Sequence, residues 1–278
     1  MDQRFAFGRN WQSYAANLPP AAAVQVQRSL NAMIGEGKVA GRSFLDIGSG
    51  SGLFSLAATA LGARRVHSFD YDADSVACTA SIKAAFAPDA AWTVERGDVL
   101  DPAYVASLGS WDIVYSWGVL HHTGDMQRAI AHAAGLVAPG GNLYIALYND
   151  QGWLSRFWLR VKRFYVAAPS WLQKVMNAGF FLAFAAVLAV ADLVRLRNPL
   201  IRYNGKDTRG MTLYTDVVDW IGGYPFEVAT PAAVTEFMAA QGFAPLKIVD
   251  VGFRQGCNEF LFQRAEDAAT SAVAGHAR

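Results

Sequence analysis

Residues 44–57 read FLDIGSGSGLFSLA, with three glycines at alternate positions (Gly48, Gly50, Gly52) behind Asp46. The residues ahead of the glycines read as a buried strand, and those after them as a helix. A strand that breaks into a glycine turn and continues as a helix aims backbone N–H groups and the positive helix end at the mouth of a crevice. A nucleotide is the natural guest of such a turn. The dinucleotide spacing G-x-G-x-x-G, counted from Gly48 and Gly50, needs a third glycine at position 53, where Leu53 stands. A nicotinamide-dependent oxidoreductase is therefore only a remote alternative, and no recognisable hydride-transfer pair supports it.

The surrounding sequence alternates strand and helix patterns, as α/β architectures do. Strands are predicted at 43–47, 65–70, 91–98, 111–117 and 142–148, with two more at 245–252 and 258–265. Helices are predicted at 21–34, 53–61, 72–86 and 230–243, and at MQRAIAHAAGLV (126–137), stopped by Pro139-Gly140-Gly141. Thr230 as N-cap and Pro231 at the first position mark the start of the last helix.

Acids stand where an adenosine-like ligand needs them. Asp70 closes the second strand about twenty residues past the loop, the separation at which a carboxylate meets ribose hydroxyls. An ionised carboxylate is acceptor-only and suits two O–H donors. Asp98, just beyond the third strand, is placed to accept an adenine amine. Asp112 starts a strand, away from the carboxyl ends, and reads as structural.

With these residues in view, the chain resembles the class I S-adenosylmethionine-dependent methyltransferases. The likeness rests on DIGSGSG (46–52), FDYD (69–72), RGDV (96–99), WDIVYSWGVLHH (111–122) and LVAPGGNLYI (136–145). The resemblance implies a Rossmann-like seven-stranded sheet of order 3-2-1-4-5-7-6 with strand 7 antiparallel. It also implies bound S-adenosyl-L-methionine, released as S-adenosyl-L-homocysteine. By position, Gly48, Ser49 and Gly50 would face the methionine part, and Asp70 and Tyr71 the ribose and adenine. Asp98 and Val99 would contact the adenine, and Ser116 and Trp117 would line the floor. FAFGRNWQSY (5–14) is similar to the lead-in of some bacterial small-molecule methyltransferases, where it forms a lid. Trp11 and Tyr14 would then shield the sulfonium; a helix packed on the insertion is the alternative.

Methyl transfer to a hydroxyl benefits from a general base, and imidazole titrates in the right range. His121 and His122, at the end of the fourth strand, are the candidates, with helix capping as the other reading. Asp125 either caps the following helix or orients an imidazole. Tyr148 and Asn149 are predicted acceptor contacts, with loop stabilisation as the alternative for both. Strand 4 ends in Ser116-Trp117, which lacks the carboxylate a magnesium site would require there, so no catalytic metal is expected.

Residues 151–229 form an insertion, read as a helical, apolar and basic substrate cap. Within it, Arg202, Tyr203, Arg209, Tyr214, Trp220, Tyr224 and Glu227 make a polar-aromatic cluster suited to a sugar ring or a phenol, with Arg209 and Tyr224 as substrate contacts. GWLSRFWLRVKRFYVAAP (152–169) reads as a basic amphipathic helix, and AGFFLAFAAVLAVA (178–191) has no polar side chain. Fourteen such residues fall short of the roughly 18–20 a spanning helix needs. The pair therefore reads as a self-burying cap or a homodimer seam, with peripheral membrane contact through 153–196 as the alternative and a span as the remote one. The remaining parts are a lid and helix at 1–40, a core at 41–150 and 230–265, and a disordered tail at 266–278.

The 278 residues carry a formal net charge of +1, which speaks against nucleic acid as a partner. Cys78 and Cys257 make neither a disulfide framework nor a zinc set, and MDQRFAFGRNW has no apolar signal region. These features predict a cytoplasmic enzyme, with the inner membrane face as an alternative station. The expected reaction is O-methylation of a small molecule, a sugar unit or secondary metabolite. A lipid or quinone acceptor at the membrane surface is the alternative.

Overall fold

The computed structural model describes residues 20–195, 213–254 and 256–266. Trp11, Tyr14, Arg202, Tyr203 and Arg209, and the tail beyond residue 266, lie outside these.

Seven strands form one sheet: β1 (Ser43–Ile47), β2 (Arg65–Asp70), β3 (Trp92–Arg96), β4 (Trp111–Trp117), β5 (Val137–Tyr148), β6 (Phe243–Val249) and β7 (Cys257–Arg264). Their order is β3-β2-β1-β4-β5-β7-β6, as predicted. The first five are parallel, and β7 runs antiparallel between β5 and β6. Around them lie helices α1 (Pro20–Ile34), α2 (Leu53–Ala60), α3 (Ala73–Phe86), α4 (Pro102–Ser107) and α5 (Met126–Gly135). The insertion holds α6 (Trp153–Ala167), α7 (Ser170–Val194) and α8 (Leu213–Gly222), and α9 (Pro231–Ala239) follows it.

All five residues of β1 are buried, because helices cover both faces of the sheet. The period-two alternation of strands splits the core into two layers. Phe44, Ile113, Tyr115, Tyr144 and Leu261 face α1, α2 and α3. Leu45, Val114, Leu143, Ile145, Phe260 and Phe262 face α5 and α9. Asp112 is structural: its Oδ2 accepts the N–H and hydroxyl of Ser43 at 2.8 and 2.7 Å, and Arg64 at 3.0 Å.

Two differences from the sequence reading bear on the site and the cap. Pro139-Gly140-Gly141 does not stop a helix but lies inside β5, which begins at Val137; α5 already ends at Gly135. Val137 pairs with Trp111 and Asn142 with Ile113, so a bulge absorbs the extra residues, a place where Pro and Gly are tolerated. The apolar run 178–191 is the middle of the 25-residue helix α7, long and apolar enough by itself to cross a membrane. Ser170–Asn177 supply the turns that a count of uninterrupted apolar residues left out.

The insertion leaves and re-enters the sheet at one place. Asn149 bridges Ala229, whose N–H donates to Tyr148 O at 3.0 Å, and Asp150 N–H donates to Ala229 O at 3.3 Å.

Candidate active site

The strand order reverses between β1 and β4, so a crevice opens beyond their carboxyl ends. The glycine turn forms its wall. Gly48, Gly50 and Gly52 all have positive φ (76°, 54°, 78°). A side chain on Gly48 would meet Val119 Cγ1 at 2.4 Å, and one on Gly52 would meet Thr79 at 2.9 Å. The alternation of glycines thus follows from a left-handed turn wedged between two neighbours. Thr79 of α3 also bonds the turn, 3.0 Å from Ser49 Oγ and 3.3 Å from Gly50 O. Only its place in the folded crevice reveals that role.

Asp70 sits at the end of β2. Its Oδ2 accepts Gly50 N–H and its Oδ1 accepts Asp72 N–H, both at 2.9 Å. Each oxygen keeps a second lone pair, so the group still suits two ribose hydroxyls. Burial raises its pKa to about 6 against the lowering bonds from Asp72 and Gly50. Asp98 follows β3 and takes Leu100 N–H at 2.8 Å, beside buried Val99. Tyr71 lies under the Arg96 guanidinium, 5.7 Å from ring to charge. Ser116 is fully buried, and its hydroxyl donates to Ile47 O at 2.9 Å, tying β4 to β1 next to half-buried Trp117.

Asp46 precedes the turn and is buried. Its Oδ2 accepts Ser55 Oγ–H at 2.5 Å, Ser55 meets Ser68 at 2.5 Å, and Ser68 accepts Trp92 Nε1–H at 2.7 Å. Burial pushes Asp46 up to about 7, opposed by the Ser55 bond and helped by the nearby Asp70 charge. Ser55 and Ser68 carry no sequence signal, since their partners are brought together only by the βαβ crossover.

On the other side of the crevice, β4 ends in a 3₁₀ turn, Leu120–His122. The two imidazole rings are 4.4 Å apart, and Tyr148, at the end of β5, lies 4.0 Å from His121 and 5.4 Å from His122. Trp220 and Phe226 from the insertion extend the cluster, each 5.4 Å from Tyr148. Buried Lys162 of α6 places its ammonium over both rings, at 4.4 and 4.8 Å, and donates to Trp220 O. Burial lowers Lys162 to about 7, with Asp219 pulling it back up.

The ring hydrogens follow from the partners. A carbonyl only accepts, so His122 Nδ1, 2.6 Å from Pro225 O, carries the hydrogen and Nε2 the lone pair. His121 Nδ1 accepts Tyr148 N–H at 3.4 Å, leaving its hydrogen on Nε2, a buried atom with no hydrogen-bond partner. Burial lowers both rings below the ordinary imidazole range, His122 to about 3 despite its bond to Pro225, and the Lys162 charge adds to the effect. The imidazoles are therefore neutral at pH 7 and weaker bases than a free histidine. Asp125 caps α5 through Arg128 N–H at 3.3 Å and does not orient a ring.

Glu227 accepts Met126 N–H at 3.0 Å and so also holds the start of α5. Asn149 is engaged on both sides: Oδ1 accepts Asn258 Nδ2–H at 3.0 Å and Nδ2 donates to Gly252 O at 2.5 Å. Tyr224 is half-buried and precedes Pro225 through a cis peptide bond. Tyr214, on α8, is exposed and meets Phe181 at 5.6 Å. Among the described residues, no three His, Cys, Asp or Glu side chains gather to hold a metal ion.

Known proteins share the fold that carries this crevice. A family profile described as "Methyltransferase domain" matches residues 14–181. The N-methyltransferase NodS from Bradyrhizobium japonicum WM9, solved with S-adenosyl-L-homocysteine, superposes with a TM-score of 0.54 at 13% identity, covering 96% of this chain and 100% of that one. The magnesium protoporphyrin IX methyltransferase of Synechocystis PCC 6803, also solved with S-adenosylhomocysteine, gives 0.52 at 15% identity, covering 88% and 84%. A stretch of 156 residues, 49% of this chain, is 26% identical to the highly reducing polyketide synthase lcsB of Purpureocillium lilacinum, and spans 6% of that protein's length. With the matching profile spanning more than half its length over a seven-stranded sheet of this order, the chain belongs to the class I S-adenosylmethionine-dependent methyltransferases.

Proposed function

We propose that this methyltransferase acts on a hydroxyl of a small-molecule acceptor, a sugar unit or a secondary metabolite, held between the ends of β4 and β5 and the cap. The observation that carries this reading is the meeting of His121, His122 and Lys162 under the rings of Tyr148, Trp220 and Phe226. S-adenosylmethionine, when bound, supplies an electrophilic methyl group and leaves as the neutral thioether. Gly48, Ser49 and Gly50 would hold its methionine end, Asp70 and Tyr71 would hold the ribose and flank the adenine, and Asp98 and Val99 would contact the adenine.

The remaining work is placement and one proton. The aromatic faces exclude water and orient a flat or ring-shaped acceptor. His122 Nε2 receives the hydroxyl proton as the oxygen forms its bond to carbon. His121 Nε2–H donates to a second oxygen of the acceptor. Lys162 sets the field: its charge opposes imidazolium formation, and its loss of a proton relieves that opposition.

The test is a product assay. Purified protein is incubated with S-adenosylmethionine and panels of sugars, phenols, quinols, amines and thiols, and products are read by mass spectrometry. A methyl ether supports the proposal, and methylation confined to amines or thiols refutes it.

A further inference from the structure

Between Trp153 and Val194 the sequence holds Arg156, Arg160, Lys162, Arg163 and Lys174, and its one acid, Asp192, is buried. The residues of α6 divide cleanly. Ser155, Trp158, Lys162 and Tyr165 face inward, while Trp153, Arg156, Phe157, Arg160, Arg163 and Phe164 share the opposite, exposed face. Large aromatics left in water among arginines gain little from the fold: Trp153 is 71% exposed, and Phe157 only edges against Trp158. Helix α7 continues the pattern. Only 11% of its apolar window is buried, and Trp171, Leu182, Val187 and Val190 are all exposed. A core helix is mostly covered, and this one is not.

We infer that α6 and α7 form a docking surface for an anionic lipid bilayer. The arginines of α6 lie among the headgroups, its aromatics sit at the interface, and the exposed side of α7 enters the acyl boundary. Charge selects this occupant over a second copy of the chain. A two-fold seam would set the same arginines against one another with no exposed acid in these two helices to meet them. Packing selects contact over a span. The other stripe of α7 (Met176, Phe180, Phe184) is engaged with Tyr165, Val217 and Ile221, and Phe180 and Phe184 also stack near Trp158. Carrying α7 across hydrocarbon would take its own Asp192 along and drag in Lys162 of α6 and Asp219 of α8, the helices packed against it. This inference is independent of the acceptor proposed above.

The experiment is flotation of the full-length protein with phosphatidylcholine vesicles, with and without phosphatidylglycerol. Wild type is expected to float with the anionic vesicles and to stay behind with phosphatidylcholine alone, less so in high salt. Reversing Arg156, Arg160 and Arg163 to Glu should lower partitioning on the order of a hundredfold. Leu182→Ser with Val187→Ser should also release the protein. Both variants should keep the thermal stabilisation given by S-adenosylhomocysteine, which shows that they fold. Failure of wild type to float, or equal flotation of the charge-reversed variant, overturns the inference. So does a lipid-free dimer that Leu182→Glu splits, which assigns the surface to a second copy. Vesicle-bound protein that survives an alkaline carbonate wash also overturns it, in favour of a span.

Discussion

His122 donates from Nδ1 to the carbonyl oxygen of Pro225, 103 positions later, across 2.6 Å. The bond joins the end of β4 to the last turn of the cap and fixes which ring nitrogen keeps a lone pair. His122→Ala is therefore expected to lower kcat by roughly 10²–10⁴-fold. Affinity for S-adenosylhomocysteine, read by calorimetry, should stay unchanged. An unaltered kcat would remove His122 from the chemistry.

Lys162 loses its proton near pH 7, and its charge depresses His122. The transfer rate should therefore climb as pH rises through about 7. Lys162→Met removes the charge at every pH, so that limb of the profile should disappear. A limb that persists in this variant would belong to another group.

Asp70 titrates near 6, raised by burial, and the proposed assignment has ribose hydroxyls bind its ionised form. Below pH 6 the cofactor must displace a proton, so affinity should fall about tenfold per pH unit. Asp70→Asn should bind more weakly and flatten the dependence; a parallel decline in the variant would argue against the assignment.

Asp46 has a folded pKa of about 7 against an ordinary 3.8, so the folded state holds a proton that the unfolded chain releases. Its contribution is complete below pH 4 and is lost as pH rises through 7. The span is on the order of 4 kcal/mol as a ceiling, at roughly 1.4 kcal/mol per unit. Urea titrations of the ligand-free protein should show the stability difference between wild type and Asp46→Asn shrinking from pH 5 to pH 8, the comparison that cancels the opposing trend of the buried imidazoles.

Gly48→Ala adds a methyl group against Val119 at a φ of 76°. Overpacking and left-handed strain together should cost about 2–4 kcal/mol. Val119→Ala in the same chain should recover part of the urea midpoint, because it removes the overlap and leaves the strain.

Much of this is written locally in the chain. Strand and helix periods around 44–57, the acid at position 70 and the antiparallel last strand of the resembled family are enough to lay out the sheet. Pro139-Gly140-Gly141 misled because a turn and a bulge use the same residues, and only pairing with Trp111 and Ile113 tells them apart. The histidines were legible as candidates, but their weakened basicity was not. That follows from burial and from Lys162, which a reading of α6 shows as one more cation on an amphipathic helix. For Asn149 the structure adds what favours the loop-stabilising alternative, bonds to Gly252 in the loop before β7 and to Asn258 on it, which sequence spacing does not reveal.

The excursion that departs at Asp150 and returns at Ala229 is stitched at its base by two backbone hydrogen bonds, which make the Asn149–Ala229 bridge. Its two ends are neighbours, so insertions or deletions between them lengthen or shorten the cap without re-routing a strand. Trp220, Pro225 and Phe226 all reach the strand ends from that single stem, so a change in cap length is felt first at the His122 and Tyr148 rings.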